Sequence, residues 1–384
     1  MERTVQEVFR IGFAAYEAYH PLPASIRSAA WNFIHCRTAA LGGHIQACPE
    51  GHVERVWYNS CKHRACPQCN QIQIERWLEF QQARLLDCAH HHIIFTLPHE
   101  LNGLWVLNRT VMTQLFFQAV RDTLLELTED ARYLGAQPGL LCALHTWGRS
   151  LALHPHIHCL ITDGGLDSEG HWQRPKKSCF LPARVVMALF RGKFLAAVRQ
   201  ALEAEQLRLP ETAPRLLNLL NKLGRKQWNV HLRERYPHGE GVVKYLARYV
   251  RGGPLKNTQI CQVTDTQVTY RYSAHEDHPE GGKRRVTELT LTHAEFIRRY
   301  SQHIPEPRRQ LIRRYGLYAH TQGERLTQAR AQWGQPPLQR PAFLDWQSYY
   351  LQVTGHREAT VCPVCGQPLQ AQERVARRAH DPPS

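Results

Sequence analysis

His156-Ile157-His158 places two imidazoles in an apolar run, His154 to Thr162, that reads as a β-strand. Alternate side chains on a strand share a face. His156, His158 and Leu160 therefore point one way, and Ile157, Cys159 and Ile161 point the other way, into a core. Imidazoles about 7 Å apart along a strand are able to share one divalent ion, given a third ligand. His145, on the preceding run Gly139 to Trp147, is the first candidate, because the turn Gly148-Arg149-Ser150 folds the two runs into an antiparallel hairpin. His154 is an alternative whose direction Pro155 disturbs, and Asp163 at the strand end is another. Alone, the pair also describes two surface histidines on an amphipathic strand.

Tyr245 and Tyr249 lie four residues apart in a segment whose apolar residues Val242, Leu246 and Val250 recur at helical spacing. On that helix, Gly241 to Arg251, the tyrosines stack on one face, and Lys244, Arg248 and Arg251 form a basic flank. Alone, they describe half-buried packing residues. A phenol, with an ordinary pKa of about 10, is a poor nucleophile. It becomes useful beside a metal that polarises phosphorus and stabilises the developing charge. The histidine strand and the tyrosine helix together would cut a DNA strand and hold one end as a phosphotyrosine.

The third constellation is Cys48-Pro49-Glu50-Gly51-His52 followed by Cys61 and the knuckle Cys66-Pro67-Gln68-Cys69. Zinc takes four soft or borderline donors in a tetrahedron. Five candidates compete for four places, with Cys48, Cys66 and Cys69 ranked above Cys61 and His52. A complete set leaves no open position, so the site is structural. Arg55, Lys62 and Arg64 would lie on its surface, within reach of phosphate. A second knuckle, Cys362-Pro363-Val364-Cys365, has no Cys pair near it, and His356 and His380 are its weaker potential partners.

The elements that carry these residues read as α+β. Helices are expected over residues 1–44, broken at Pro21 and Pro23, and over 72–86, 103–129, 182–206 and 213–223. Strands are expected at 92–97, in the histidine hairpin, at 228–233, 258–273 and 285–291, with helices onward to 332. Trp333 to Pro337 reads as a linker, and the end of the chain as a polar, basic, disordered stretch. Three units follow: 1–90 helical and zinc-binding, 91–330 the nuclease, and 331–384 linker and tail. In 384 residues, 48 Lys and Arg against 33 Asp and Glu leave a net charge of +15, which favours a polyanionic partner such as nucleic acid. No apolar run is long enough to span a bilayer, and no signal-peptide core begins the chain. The expected setting is the bacterial cytoplasm, in association with the nucleoid.

These motifs resemble the rolling-circle transposases of the insertion sequence ninety-one family, within the HUH endonuclease superfamily. The two-histidine motif is similar to His156-Ile157-His158. The nucleophile helix is similar to Tyr245-Leu246-Ala247-Arg248-Tyr249-Val250. Leu144 to Gly148, Phe95 to Pro98, Glu295 to Arg299 and Arg314 to Gly316 also look like family segments, and the likeness covers about residues 25–320. It implies a central antiparallel sheet flanked by helices and preceded by a small zinc-binding domain. Histidines lie on the middle strands, with the tyrosine helix across them. It implies Mg²⁺ or Mn²⁺ at His156 and His158, Tyr245 and Tyr249 as nucleophiles, and single-stranded DNA at element ends and target as the partner. One departure stands out: many members carry a second Cys three residues after the first, where this chain has Gly51-His52.

Rival readings share parts of this set. A replication initiator or relaxase would use the same chemistry, though no phosphate-loop or helicase motif is present. A non-catalytic zinc-dependent DNA-binding protein would need the cysteines alone. A hydrolytic zinc enzyme would need the histidines but not the tyrosines.

Overall fold

The computed structural model describes residues 1–176, 180–237, 253–273, 286–342, 344–355 and 360–377. Its centre is a five-stranded antiparallel sheet in the order β12 (Ile312–Gly316), β4 (Gly139–Trp147), β5 (Leu153–Thr162), β3 (His90–Thr96), β8 (Val230–Tyr236). The histidine hairpin, β4 and β5, thus occupies the middle. Ile157, Cys159 and Ile161 face a core made with α5 (Arg109–Glu129), α6 (Ala183–Glu203) and α7 (Ala213–Arg225), through side chains such as Phe116, Phe190, Phe194 and Leu220. Leu160, Leu141 and Ala143 face the other way, onto α3 (Gln71–Arg84) and α9 (Gly323–Gln332). Cover on both faces explains why β4 is one continuous buried run rather than an alternating one.

A second core lies beside the sheet. It joins α1 (Val5–Tyr19), α2 (Ala24–His35), α8 (His293–Ser301) and the sheet β11 (Val286–Thr292), β10 (Gln267–Ser273), β9 (Ile260–Val263) around Phe9, Phe33, Tyr270, Phe296 and Tyr300. Thr4 and Thr292 cap α1 and α8 by accepting from the Glu7 and Glu295 amides. Leu151, at the tip of the histidine hairpin, is fully buried in this second core and holds a left-handed φ of 60°. That insertion ties the histidine sheet to the cysteine-bearing part of the chain. A third sheet pairs β1 (Gly43–Ala47) with β2 (Glu54–Tyr58) and, from the opposite end of the sequence, with β13 (Gln370–Val375). The pair β6 (Gly165–Leu166) and β7 (Trp172–Gln173) closes a surface loop.

Several elements depart from the sequence expectation. The expected 103–129 helix is two, α4 (Asn102–Leu107) and α5, because Asn108 turns out of helical geometry. Its amide binds the Leu104 and Arg208 carbonyls, and its Oδ1 accepts from the Arg208 amide. The stretch expected to run as helices to 332 contains the edge strand β12. There Arg313 lies over the Phe117 ring and Arg314 donates to Gln81, so two charged residues sit on a strand by snorkelling to opposite faces. The expected linker packs firmly, with Gln335 bonded to Leu85 and Asp87 and Trp333 edge-on to Trp172. The tail contributes α10 (Trp346–Thr354), and its polar, basic end, expected to be disordered, contributes β13. The expected tyrosine helix, Gly241 to Arg251, falls outside the described residues, and Lys244, Tyr245, Arg248, Tyr249 and Arg251 with it. Among the described residues no helix is long and apolar enough to cross a membrane.

Candidate metal centres

Register places the histidines. His145 on β4 is the direct partner of His156 on β5, and His158 stands two residues further along the same face. One ring nitrogen from each of His145, His156 and His158 lies within 4.8 Å of the others. The neighbouring strand adds a fourth ring: His92 on β3 sits on the same face, with its Nε2 2.9 Å from His158 Nδ1. His156 donates from Nδ1 to the His154 carbonyl at 2.7 Å, which leaves Nε2 with a lone pair toward the group. Burial holds His145 well below the ordinary histidine value and lowers His156 to about 4, so both rings are neutral near pH 7. Neutral, convergent imidazoles are what a divalent ion requires of histidine.

The alternatives weighed for the third place lie outside the group of converging ring nitrogens. His154 supplies its carbonyl to His156. Asp163 lies at the far end of β5, hydrogen-bonded to His91 at 2.9 Å and ion-paired with Arg235 at 2.6 Å. The role of His92 is absent from the sequence reading. Strand parity could have found it, since β3 pairs with β5 and the run His90-His91-His92 puts two imidazoles, His90 and His92, on the required face, with His92 the nearer to His158.

The cysteines form two groups, where one with a spare donor was expected. Cys36, Cys61, Cys66 and Cys69 come together in the second core, with Cys61 and Cys69 sulfurs 3.7 Å apart. That matches the edge of about 3.8 Å for two thiolates on tetrahedral zinc and is far beyond a disulfide bond. Hydrogen bonding from Cys36, Cys61 and Cys66 holds the Cys69 thiol well below its ordinary value. Cys48 and His52 stand apart from that group, against Cys362 and Cys365 of the tail. The expected ranking of Cys48 over Cys61 is therefore corrected: Cys61 joins Cys66 and Cys69, and Cys48 does not. His356 and His380 lie outside the described residues.

Cys36 is the donor that sequence reading missed. It caps the C-terminal end of α2, and Arg37 after it takes φ 58°, turning the chain away. No knuckle spacing marks it. The count of donors shows only that one is missing, since two four-donor groups need eight and the five N-terminal candidates with the two tail cysteines make seven; among the remaining cysteines it does not single out Cys36. Of the nearby basic residues, Lys62 is exposed, and Arg55 lies against Trp57 and Gln46. Arg64 turns inward, donating to the Arg309 and Glu306 carbonyls at 2.5 and 2.7 Å, so it joins the cysteine loop to the rest of the fold.

Comparison with known proteins adds the following. A family model described as "Putative transposase" matches residues 139–325, and one described as "Transposase zinc-binding domain" matches residues 8–97. The first covers the whole histidine hairpin, and the second all four members of the Cys36 group. The chain is 33% identical over 376 residues to "Putative transposase y4qJ" of Sinorhizobium fredii, covering 94% of this chain and 93% of that one. It is 32% identical over 293 residues to the "Transposase for insertion sequence element IS801" of Pseudomonas savastanoi pv. phaseolicola, covering 74% of this chain and 68% of the relative. No solved structure matches.

Proposed function

We propose a chemistry for this chain from one premise: it belongs to the insertion sequence ninety-one family of transposases and carries that family's zinc-binding domain toward its N-terminal end. In this reading it nicks and rejoins single-stranded DNA at the ends of its element and at the target, through a 5′-phosphotyrosine. His145, His156 and His158 hold a divalent ion, and as three neutral nitrogen donors they favour Mn²⁺ over the more oxygen-seeking Mg²⁺. When bound, the ion polarises the scissile phosphate and offsets charge on its oxygens. His92 fixes the His158 ring through their hydrogen bond, and His154 does the same for His156.

Tyr245 or Tyr249 forms the new bond from its phenol oxygen to phosphorus, and its proton passes to solvent. The bond from phosphorus to the 3′ oxygen breaks, and that oxygen takes up a proton. One end is then a tyrosine ester and the other a free 3′-hydroxyl. Attack of a 3′-hydroxyl on the ester reverses the step and returns the tyrosine. Two tyrosines four residues apart allow one to hold an end while the other cuts. Lys244, Arg248 and Arg251 neutralise backbone phosphates beside them. Zinc in the Cys36 group is structural.

The observation that carries this reading is the convergence of three imidazole nitrogens on the middle strands of an antiparallel sheet. The test is cleavage of single-stranded oligonucleotides from the element's ends with Mn²⁺, resolved on a denaturing gel. Wild type is run beside Tyr245→Phe, Tyr249→Phe and the double variant. A metal-dependent covalent adduct that only the tyrosine changes remove is the expected result. DNA binding without an adduct in any metal would leave the non-catalytic zinc-dependent binder as the better reading.

A further inference from the structure

We propose that Cys48, His52, Cys362 and Cys365 bind a second zinc ion, and that this ion fastens the C-terminal tail onto the N-terminal β-hairpin. The four donor atoms lie within 4.8 Å of one another. Cys48 Sγ is 3.5 Å from Cys365 Sγ and 3.6 Å from His52 Nδ1. A zinc tetrahedron with thiolates at about 2.3 Å and imidazole at about 2.05 Å has edges of about 3.8 and 3.6 Å. A disulfide would need about 2.05 Å between the sulfurs.

Two turns built alike present these donors. In the first, the Cys48 amide donates to the Val53 carbonyl and the Gly51 amide donates back to the Cys48 carbonyl. In the second, the Cys362 amide donates to Gln367 and the Gly366 amide donates back to Cys362. Gly51 and Gly366 both hold φ 74°, a conformation that glycine adopts without strain. Cys48 and Cys362 are buried between the turns, while His52 and Cys365 face solvent. Beneath them the apolar contact is small: Leu369 and Val53 are the only other members of that cluster among the described residues. So small a core does not hold a hairpin on its own, and units of this kind are ordinarily stapled by a metal or a disulfide.

The fastening has two consequences. It seats β13 on β1, covering an edge of that sheet which would otherwise be bare. It also anchors the tail that carries α10, whose Tyr350, Val353 and Thr354 wall a cavity of about 290 Å³ opposite Arg37, Gln68 and Gln71, beside the Cys36 group. Cys365, 317 residues distant from Cys48 in sequence, thereby becomes part of the zinc-binding region.

The experiment counts zinc in the full-length protein by elemental mass spectrometry and follows tail release by limited proteolysis. Cys362→Ser with Cys365→Ser should hold one zinc fewer than wild type and lose its tail at least tenfold faster. Cys48→Ser should do the same from the other end of the chain. Cys365→His, which keeps a donor, should retain both the zinc and the protection. An unchanged zinc count in the serine variants would overturn the site. So would a Cys48–Cys365 disulfide in freshly purified protein. Loss of zinc with unchanged tail protection would overturn the fastening role.

Discussion

The histidine group and the cysteine groups each gather donors about a point, by opposite routes. His145, His156 and His158 belong to one hairpin, and the pleat and register of β4 and β5 impose their positions. The sheet exists for its own reasons, a core on each face. It therefore holds the imidazoles in place whether or not an ion is present. The Cys36 group draws on the end of α2 and on a loop, residues 59–70, that has neither strand nor helix. There the donors are much of what shapes the backbone. The first arrangement spends structure on chemistry, and the second uses chemistry to make structure.

The sharpest way to break that comparison is to remove one donor from each. Cys66→Ser should lose a zinc and destabilise the protein by more than about 4 kcal/mol, because binding energy at such a site is folding energy. Denaturant unfolding with a zinc count reads both. A variant with wild-type stability would refute the assignment. His156→Ala should do the reverse. Cleavage should fall about 10²–10³-fold, the scale of several kcal/mol of lost transition-state stabilisation, while unfolding shifts by less than about 1 kcal/mol. A collapse in stability there would mean that the imidazoles hold the sheet together.

The same contrast explains what was legible in the sequence. Everything set by local period could be read: the hairpin, which residues of β5 face the core, and His145 opposite the pair. Elements set by distant contacts could not. β12 reads as helix because its two arginines mask a short strand that only β4 makes sensible. The long helix breaks at Asn108 because Arg208, a hundred residues on, offers its backbone. Cys36 and the split of the cysteines into two groups depend on chain closure, and no spacing rule encodes that.

A smaller effect sharpens the histidine half. His92 contacts no ion in the proposed arrangement and acts through His158 alone, by the 2.9 Å bond between their rings. His92→Ala should weaken Mn²⁺ binding about 10–100-fold. Raised Mn²⁺ should restore cleavage, whereas it should not rescue His156→Ala. Equal loss in both variants at all metal concentrations would place His92 among the residues that touch the ion or the DNA.

The smallest effect separates acid sensitivity in the two regions. His90 donates from Nδ1 to the Cys88 carbonyl and accepts from the Tyr318 hydroxyl. His303 donates from Nε2 to the Leu151 carbonyl and accepts from Thr146. Both rings are neutral in these networks, and burial lowers each to about 4. Unfolded, they would titrate near 6.5. Between those values the unfolded chain binds more protons, so stability is complete above about pH 7 and falls as pH drops through the window, by roughly 1.4 kcal/mol per pH unit for each group. Zinc loss at the cysteines also weakens the fold in acid, but it is common to wild type and to His90→Asn or His303→Asn. Urea midpoints taken between about pH 7 and pH 5 should therefore fall less steeply in the asparagine variants, although these begin less stable. Parallel slopes would assign the acid sensitivity to the metal sites and leave these two buried histidines out of it.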